Sequence, residues 1–338
     1  MPTIRDVAKY AGVSFGTVSN VLNGVSTVTE ENRIKVENAI AQLGYRRNQA
    51  AFQLRSNRSN SIGLVIPDIT NPFYPEVARG VDDMARSSRF NMFLCNKDRS
   101  DQKENDAVEA LLEKNVDGIV LVKPRMTPER INDINILCPL VLVDADPANV
   151  TCDVVNVDDY SGMATAVEKC VALRHVKIAF ISGLKDSYSS QRRLNAFRET
   201  MQKYGLPIPD GYIGEGDFTA DSGKRIFRQF MNLQAPPTVV MAANDMMALG
   251  CISAAHEMGV NVPEDVSIVG YDDIQSAQLS TPRLTTILHP KYELGQTAMK
   301  VLRQRIEARR NDIALDQTIL NLSTSMTVRE TLKPVQVI

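Results

Sequence analysis

The sequence predicts an α/β protein with an N-terminal helix-turn-helix head, a short linker helix and a two-lobed body built on parallel sheets. Three observations support this fold class. Residues 3–44 contain three helix-length stretches with apolar residues at helical spacing, residues 56–60 are polar, and apolar runs then alternate with amphipathic stretches in two series. A length of 338 residues allows two or three domains.

The first predicted helix starts after Thr3. Apolar residues recur at helical spacing between Ile4 and Ala11, and Asp6 lies three residues after Thr3, as a capping box requires. Gly12 interrupts the pattern, which predicts a tight turn before a second helix.

The second predicted helix is capped by Ser14 and buries Val18. Most of the outward side chains are short, so the backbone can come close to base edges in a DNA major groove. A helical hairpin without any DNA function would show the same two capped helices. The outward face carries Phe15, Gly16, Thr17, Ser19 and Asn20.

The charge distribution favours the DNA-binding interpretation. The whole chain has a formal net charge of −2, but residues 1–60 hold eight basic and four acidic residues, a net charge of +4. Positive charge concentrated in a head that faces phosphates is typical of a nucleic-acid binder, although a solvated basic surface gives the same count.

A third helix is predicted from Thr29 to Gly44, and it closes a small core over the second helix. Residues 48–56 then have helix-forming composition but are too short to be stable alone. Leu54 is an apolar tip suited to entering a minor groove. The residues alone favour the other interpretation, in which the linker helix packs on its own body.

From residue 61 the pattern predicts two similar lobes, each a parallel sheet covered by helices on both faces. Late segments, TTILHP, a long helix near 291–308 and QTILNLSTSMTVRE, predict several crossovers between the lobes. Ligands of such sheets lie beyond the carboxyl ends of the strands. Those ends carry Asp68 with residues 71–74, Asp144, Ser182, residues 244–245 and residues 272–273.

These strand-end residues combine carboxylates and amides with aromatic rings, which suits a hydroxyl-rich ligand. Each residue type also has a purely structural role, because aspartates at strand ends cap helices and aromatic rings fill cores. The composition predicts no other special chemistry. The five cysteines are scattered and predict free thiols, and no motif predicts a metal or a cofactor. Neither a membrane-spanning run nor a secretory leader is predicted, which favours a cytoplasmic protein.

The sequence disfavours two other classes of protein. An enzyme is disfavoured because Gly214 and Gly216 begin a dinucleotide fingerprint that Thr219 breaks, and because the three histidines are far apart in sequence. Asp272 and Asp273 are adjacent on a predicted extended segment, so they point opposite ways and make a poor catalytic pair. A transport-type solute receptor would suit the body, but it would lack a basic head.

The chain resembles the lactose-repressor/galactose-repressor (LacI/GalR) family of bacterial transcription regulators over essentially its whole length. The stretches that carry the resemblance are TIRDVAKYAGVSFGTVSNVLN, AAFQLR, IGLVIPDITNPFY, VDGIVLV, ANDMMALG, VPEDVSIVGYDD and TPRLTTI. The resemblance implies a helix-turn-helix head in residues 1–47 and a hinge helix and linker in residues 48–60. It further implies an N-terminal effector subdomain in residues 61–160 and 288–320, and a C-terminal one in residues 161–287 and 321–338, together resembling periplasmic binding proteins.

The resemblance also implies roles for individual residues. For DNA it implies base reading by Phe15, Gly16 and Asn20, phosphate contacts by Thr17, Ser19 and Asn23, and minor-groove entry by Leu54, against the packing interpretation of the linker. For the effector it implies Phe73, Arg193, Asn244 and Asp272, in some members Phe218, and less specifically Asp144, Ser187 and Ser189.

The implied function is a homodimeric repressor that binds near-palindromic operator DNA and responds to a sugar-like effector. A nucleoside, a purine or a phosphorylated metabolite remains the alternative effector. The chain departs from the family pattern in three places: Gly16 has no base-reading side chain, Arg46 and Arg47 replace a proline-containing hinge entry, and Phe52 replaces a polar or basic residue. The absence of an apolar heptad tail implies a dimer and not a tetramer.

Overall fold

The computed structural model describes residues 2–22, 27–45 and 59–335. The chain divides into two compact units, Met1–Ser59 and Asn60–Ile338. Asn23, Leu54 and the predicted hinge helix lie outside the described residues, so the predictions made for them stay predictions. None of the described helices is long and apolar enough to cross a membrane.

The head consists of three helices, α1 (Ile4–Ala11), α2 (Phe15–Leu22) and α3 (Glu30–Leu43). The predicted capping box is present, since the Asp6 backbone N–H donates to Thr3 Oγ1 and the Thr3 backbone N–H donates to Asp6 Oδ2. Gly12 ends α1 with a left-handed φ of 65°. Each helix contributes at least one fully buried core residue: Val7, Val18, and Val36 with Ala39. The predicted helix-turn-helix is confirmed.

The first lobe is a six-stranded sheet in which every pair of neighbouring strands is parallel. Its elements are β1 (Ser61–Ile66), α4 (Phe73–Ser87), β2 (Asn91–Asn96), α5 (Asp101–Glu113), β3 (Gly118–Val122), α6 (Pro128–Leu137), β4 (Leu140–Val143) and β5 (Asp153–Val157).

The second lobe follows. Its elements are α7 (Asp159–Ala172), β6 (Ile178–Ser182), α8 (Tyr188–Lys203), β7 (Ile213–Glu215), α9 (Ala220–Met231), β8 (Val239–Ala242), α10 (Asp245–Met258), β9 (Ser267–Asp272), α11 (Gln275–Leu279) and β10 (Thr285–Leu288). The chain then forms α12 (Lys291–Arg310), β11 (Ile319–Leu322) and β12 (Ser325–Thr327). Helix α12 packs on α4.

The strand orders are β11-β5-β4-β3-β1-β2 and β12-β10-β9-β8-β6-β7, and among the described strands only β12 runs antiparallel to its neighbour. The chain therefore passes between the lobes three times, from β5 to α7, from β10 to α12 and from β11 to β12. The predicted parallel sheets and repeated crossovers are confirmed. All five cysteines are free thiols, as their spacing predicted.

Each lobe contains one helix pair whose backbones touch at glycines. A Cβ atom added to Gly80 in α4 would clash with the carbonyl oxygen of Tyr292, and one added to Gly295 in α12 would clash with that of Val77. In the second lobe, Gly223 in α9 and Gly250 in α10 meet backbone atoms of the opposite helix in the same way. Only glycine permits so close an approach of two helix backbones.

Candidate functional site

The exposed face of α2 carries the residues predicted to read DNA. Phe15, Gly16 and Asn20 are exposed, whereas Thr17 and Ser19 are half-buried. A Cβ atom at Gly16 would meet only the Ser14 hydroxyl within 4 Å, so the surface above this glycine is open. The helix therefore presents a shallow polar face with one aromatic ring, opposite the buried Val18.

The start of α2 is held by hydroxyl groups. The Thr17 backbone N–H donates to Ser14 Oγ at 3.1 Å, and the two hydroxyl oxygens are 2.9 Å apart. This cap fixes the start of the helix, and a helix N-terminus is an end that attracts phosphate. Of the predicted DNA contacts, five therefore lie on or beside one exposed helix face, while Asn23 and Leu54 are outside the described residues.

The residues predicted to bind an effector lie at the facing carboxyl ends of the two sheets. A narrow cleft of about 20 Å³ brings six of them together with three others, and this is room for about one water molecule. The cleft is lined by Asn71, Phe73, Tyr74, Lys123, Asp144, Arg193, Phe218, Asn244 and Asp272.

Arg193, on α8, is the cation at the centre of this cleft. Its Nε donates to Asp159 Oδ1 at 2.8 Å, its Nη1 lies 3.7 Å from Asp272 Oδ1, and the carbonyl oxygen of Ala243 also accepts from it. The guanidinium lies 3.6 Å from the ring centroid of Tyr271. Burial alone would lower the pKa of Arg193, but Asp159, Tyr271 and Asp272 raise it, so its charge is permanent. A guanidinium held in this way has a fixed orientation, and the N–H donors that are left can bind ligand oxygens.

Asp272 ends β9 with a left-handed φ of 116° and is 5% exposed. Burial raises the pKa of its carboxyl from 3.8 to about 6, against the opposing effect of Arg193, Lys291 and Lys123. The Lys291 ammonium donates to the Asp272 carbonyl oxygen at 2.6 Å and fixes the backbone there. The carboxyl is therefore poised to change charge near neutral pH.

Asn244 and Phe218 close the side of the cleft formed by the second lobe. Asn244 caps α10, since its Oδ1 accepts from the Met247 N–H at 3.0 Å, and its Nδ2 donates to the Phe218 carbonyl oxygen at 3.1 Å. Phe218 has a left-handed φ of 67° that directs its ring towards the opposite lobe. Asn244 therefore has a structural role in addition to the ligand contact predicted for it.

A lysine that the sequence analysis did not single out joins the lobes. Lys123 follows β3, and its Nζ lies 2.8 Å from Asp144 Oδ2 and donates to Ser189 Oγ of the second lobe at 2.9 Å. The ammonium also lies 4.7 Å from the ring centroid of Phe218. Burial opposes both charges, but their attraction lowers the pKa of Asp144 and raises that of Lys123.

Ser189 also donates to Asp144 Oδ2, at 2.9 Å, so this oxygen is shared by both partners. Ser187 Oγ is 3.2 Å from Ser189 Oγ. The three less specific predictions, Asp144, Ser187 and Ser189, therefore meet in a polar bridge between the lobes. Lys123 could have been found by the rule that gave Asp144, because it too directly follows a buried strand.

An aromatic wall backs the cleft at one of the crossovers. His289 lies between β10 and α12, with its ring centroid 4.7 Å from that of Phe73 and 6.4 Å from that of Tyr271. Burial, reinforced by Arg193, Lys291 and Lys123, holds the pKa of His289 well below its usual value. The imidazole is therefore neutral, and the residue that links the two lobes touches a predicted effector contact.

A larger cavity of about 330 Å³ adjoins the cleft and opens between the lobes. Tyr74, Lys123, Asp144 and Phe218 line both spaces, and Ser187 lines only the larger one. We call the larger space the outer chamber.

Comparison with known proteins agrees with this architecture. Residues 3–48 match the family described as bacterial regulatory proteins, lacI family, and residues 167–332 match the periplasmic binding protein-like domain. The catabolite control protein A of Priestia megaterium is 34% identical over 333 residues, which cover 98% of this chain and 99% of that protein.

The ribose operon repressor of Escherichia coli K12 is 37% identical over 308 residues, which cover 90% of this chain and 93% of that protein. A crystal structure of the lac repressor dimer bound to operator and the anti-inducer ONPF matches with a TM-score of 0.87 and 30% identity over 98% of both chains.

Proposed function

The chain belongs to the lacI family of bacterial regulatory proteins, and from this we propose that it is a homodimeric repressor whose hold on operator DNA is set by a sugar-like effector. It is a DNA-binding regulator and not an enzyme. The observation that carries the proposal is the cleft in which Arg193, Asn244 and Asp272 converge, in a chain that also has an exposed helix-turn-helix face.

On the DNA side, two heads of a dimer bind the half-sites of a near-palindromic operator. Phe15, Gly16 and Asn20 face the bases, Thr17, Ser19 and Asn23 face phosphates, and Leu54 enters the minor groove between the half-sites. The exposure of Phe15, Gly16 and Asn20 supports this assignment. Because Gly16 offers no side chain, Asn20 is the principal polar reader.

On the effector side, hydroxyl groups bind to Arg193 and Asp272, and the rings of Phe73 and Phe218 pack on the apolar faces of the ligand. The burial of both charged groups supports this, because a buried charge pair discriminates strongly between ligands that complete its hydrogen bonds and those that do not. Nucleosides and phosphorylated metabolites are the competing ligands.

In this proposal, each predicted segment of the chain has its own role. Residues 1–47 bind DNA, residues 48–60 form the hinge, and the rest forms the two effector subdomains. The protein acts in the cytoplasm, where its DNA target lies. Effector binding changes the angle between the lobes, and it releases or recruits DNA according to which arrangement it binds better. A coupling free energy of about 1–3 kcal/mol suffices for a useful switch.

The test begins with an operator selected from random duplexes by the full-length protein. Anisotropy titrations then measure operator affinity with and without each sugar, nucleoside and phosphorylated sugar in a panel. Asp272→Ala should abolish the response to the effector and leave the affinity for operator unchanged, whereas Asp221→Ala, an exposed carboxylate on α9, should change neither. A normal effector response in Asp272→Ala would contradict the assignment.

Asn20→Ala tests the DNA side in the same assay. It should relax base preference at one position of each half-site and weaken specific binding by about 1–3 kcal/mol. Unchanged preference in a repeated selection would remove Asn20 from the set of base readers.

A further inference from the structure

The narrow cleft and the outer chamber differ greatly in the room they offer. The cleft at Arg193 and Asp272 has about 20 Å³, whereas the outer chamber has about 330 Å³. Small-molecule sites usually fall between about 300 and 1,000 Å³, so the outer chamber is large enough to take part in binding. The two spaces share a wall formed by Lys123, Asp144, Tyr74 and Phe218.

The outer chamber has no unpaired cation with which to hold a phosphate. Four basic residues line it, all in the described part of the chain, and each already has a carboxylate partner. Lys97 pairs with Glu104 in complete burial, Arg99 with Asp68 at 3.3 Å, Lys123 with Asp144 at 2.8 Å and Arg125 with Asp186 at 2.5 Å. An anionic ligand would compete with a carboxylate for each of these cations, and displacing the carboxylate is costly for the buried pairs Lys97–Glu104 and Lys123–Asp144.

Much of the rest of the wall is apolar and aromatic, and Asp146, Asn149, Ser187 and Gln191 add polar groups. The apolar part is formed by Pro124, Met126, Leu142, Val150 and Leu184, with the rings of Tyr74, Tyr188 and Phe218. Such surfaces pack against the C–H faces of sugar rings and other neutral ligands.

The shared wall offers one hydrogen-bond acceptor that nothing uses. Asp144 Oδ2 pairs with the Lys123 ammonium and accepts a hydrogen bond from Ser189 Oγ. Asp144 Oδ1 is buried and has no hydrogen-bond partner among the described residues. A buried carboxylate oxygen without a donor is unfavourable, so a ligand hydroxyl that donates to it gains binding free energy.

From these four observations we infer that the effector is an uncharged ligand of two rings, of disaccharide size. One ring lies against Arg193 and Asp272, and the second occupies the outer chamber and donates a hydroxyl to Asp144 Oδ1. The lobes open to admit the first ring, since the cleft has room for only about one water molecule, and the Lys123–Asp144 pair stays in place on the shared wall. The inference rests on the proposed function, because it specifies the ligand of the same cleft.

Titration calorimetry on the full-length protein tests this with three sets of probes. These are neutral disaccharides (maltose, cellobiose, lactose, sucrose, trehalose and melibiose), their component hexoses with ribose, and the hexose 6-phosphates. One disaccharide should bind about tenfold or more tightly than either of its components. Tighter binding of a monosaccharide or a sugar phosphate, or no binding of any disaccharide, overturns the inference.

A blocking variant tests the chamber itself. Ala148 lines its exposed mouth, so Ala148→Trp fills the chamber without entering the core. Disaccharide affinity should fall about tenfold or more while monosaccharide affinity stays unchanged. Ala314→Trp, at an exposed position that does not line the chamber, is the matched control. Undiminished disaccharide binding by Ala148→Trp overturns the inference.

Asp144→Asn is a second variant, which keeps the shape of the shared wall and removes its charge. It should lower the affinity for the disaccharide more than the affinity for the monosaccharide. Equal losses of affinity for both ligands count against a ligand hydroxyl at Asp144 Oδ1. If a monosaccharide binds in every variant except Asp272→Ala and still alters operator affinity, the two-ring inference fails while the proposed function stands.

Discussion

Asp272 makes a quantitative prediction about stability and pH. Burial raises the pKa of its carboxyl from 3.8 to about 6 in the folded protein. A raised pKa means that the folded state binds the proton more tightly than the unfolded state. The stabilisation is therefore complete below pH 4 and is lost as the pH rises through 6. A shift of about two units at 1.36 kcal/mol each corresponds to about 3 kcal/mol.

The perturbation is Asp272→Asn, which cannot titrate. Urea unfolding of both proteins at pH 4, 5, 6 and 7 gives the free energy of unfolding as a function of pH. Between pH 4 and pH 7, the free energy of unfolding of the wild type should fall by about 3 kcal/mol more than that of the variant. Asp159 and Asp245, whose pKa values burial also raises, are present in both proteins. The Asp272 charge contributes to the raised pKa of Asp245, so the difference reports Asp272 together with this coupling.

Asp221→Asn serves as the control, since that carboxylate is exposed, and its curve should run parallel to that of the wild type. Parallel curves for Asp272→Asn and the wild type would refute the reasoning. A bound ligand that donates hydroxyls to Asp272 favours the ionised form. Effector affinity should therefore rise with pH up to about 6, with proton release visible in buffers of different ionisation enthalpy.

Three further predictions concern single contacts. Lys123→Met leaves the largely buried Asp144 without its cation and should lower the free energy of unfolding by about 3 kcal/mol in urea. Gly80→Ala should cost about 1–3 kcal/mol by forcing α4 from α12, measured as a lower Tm, whereas Gly16→Ala, where the space is open and alanine favours the helix, should not lower Tm. Thr3→Ala should destabilise the head by about 1 kcal/mol, seen as faster amide exchange in α1, and unchanged exchange would contradict the cap.

The sequence predicted most helices and strands because their apolar periodicity is strong. It did not predict α6, where only Ile131 and Ile134 are buried and polar residues dilute the helical pattern. It also did not predict β5, a buried strand that carries Asp153 and Asn156 inside the lobe. Their partners, Arg305 and the backbone of Ala145, come from other parts of the chain, so no local pattern reveals them.

The rule that ligands lie beyond the carboxyl ends of parallel strands predicted where the cleft is, but it did not predict all of the charged residues in and around it. It identified Asp144 and Asp272 and overlooked Asp159, which lies one residue after the aspartate that caps α7. It also overlooked Lys123, because a lysine after a strand is usually at the surface. Only the fold shows that Lys123 reaches Ser189, which is 66 positions further along the chain.

The paired glycines limit how the body can move. Helices whose backbones touch cannot separate without opening a void, so the two helices of each pair turn together. Any rotation of one lobe against the other is then absorbed by the three crossing segments at Asp158, at residues 289–290 and at residues 323–324. Thr324 donates to the Asp158 carbonyl oxygen at 3.4 Å, which ties two of these segments into a common pivot. His289, in the third, contacts Phe73, and Phe73 lines the cleft. A molecule that binds against Phe73 would therefore act directly on one of the segments about which the lobes rotate.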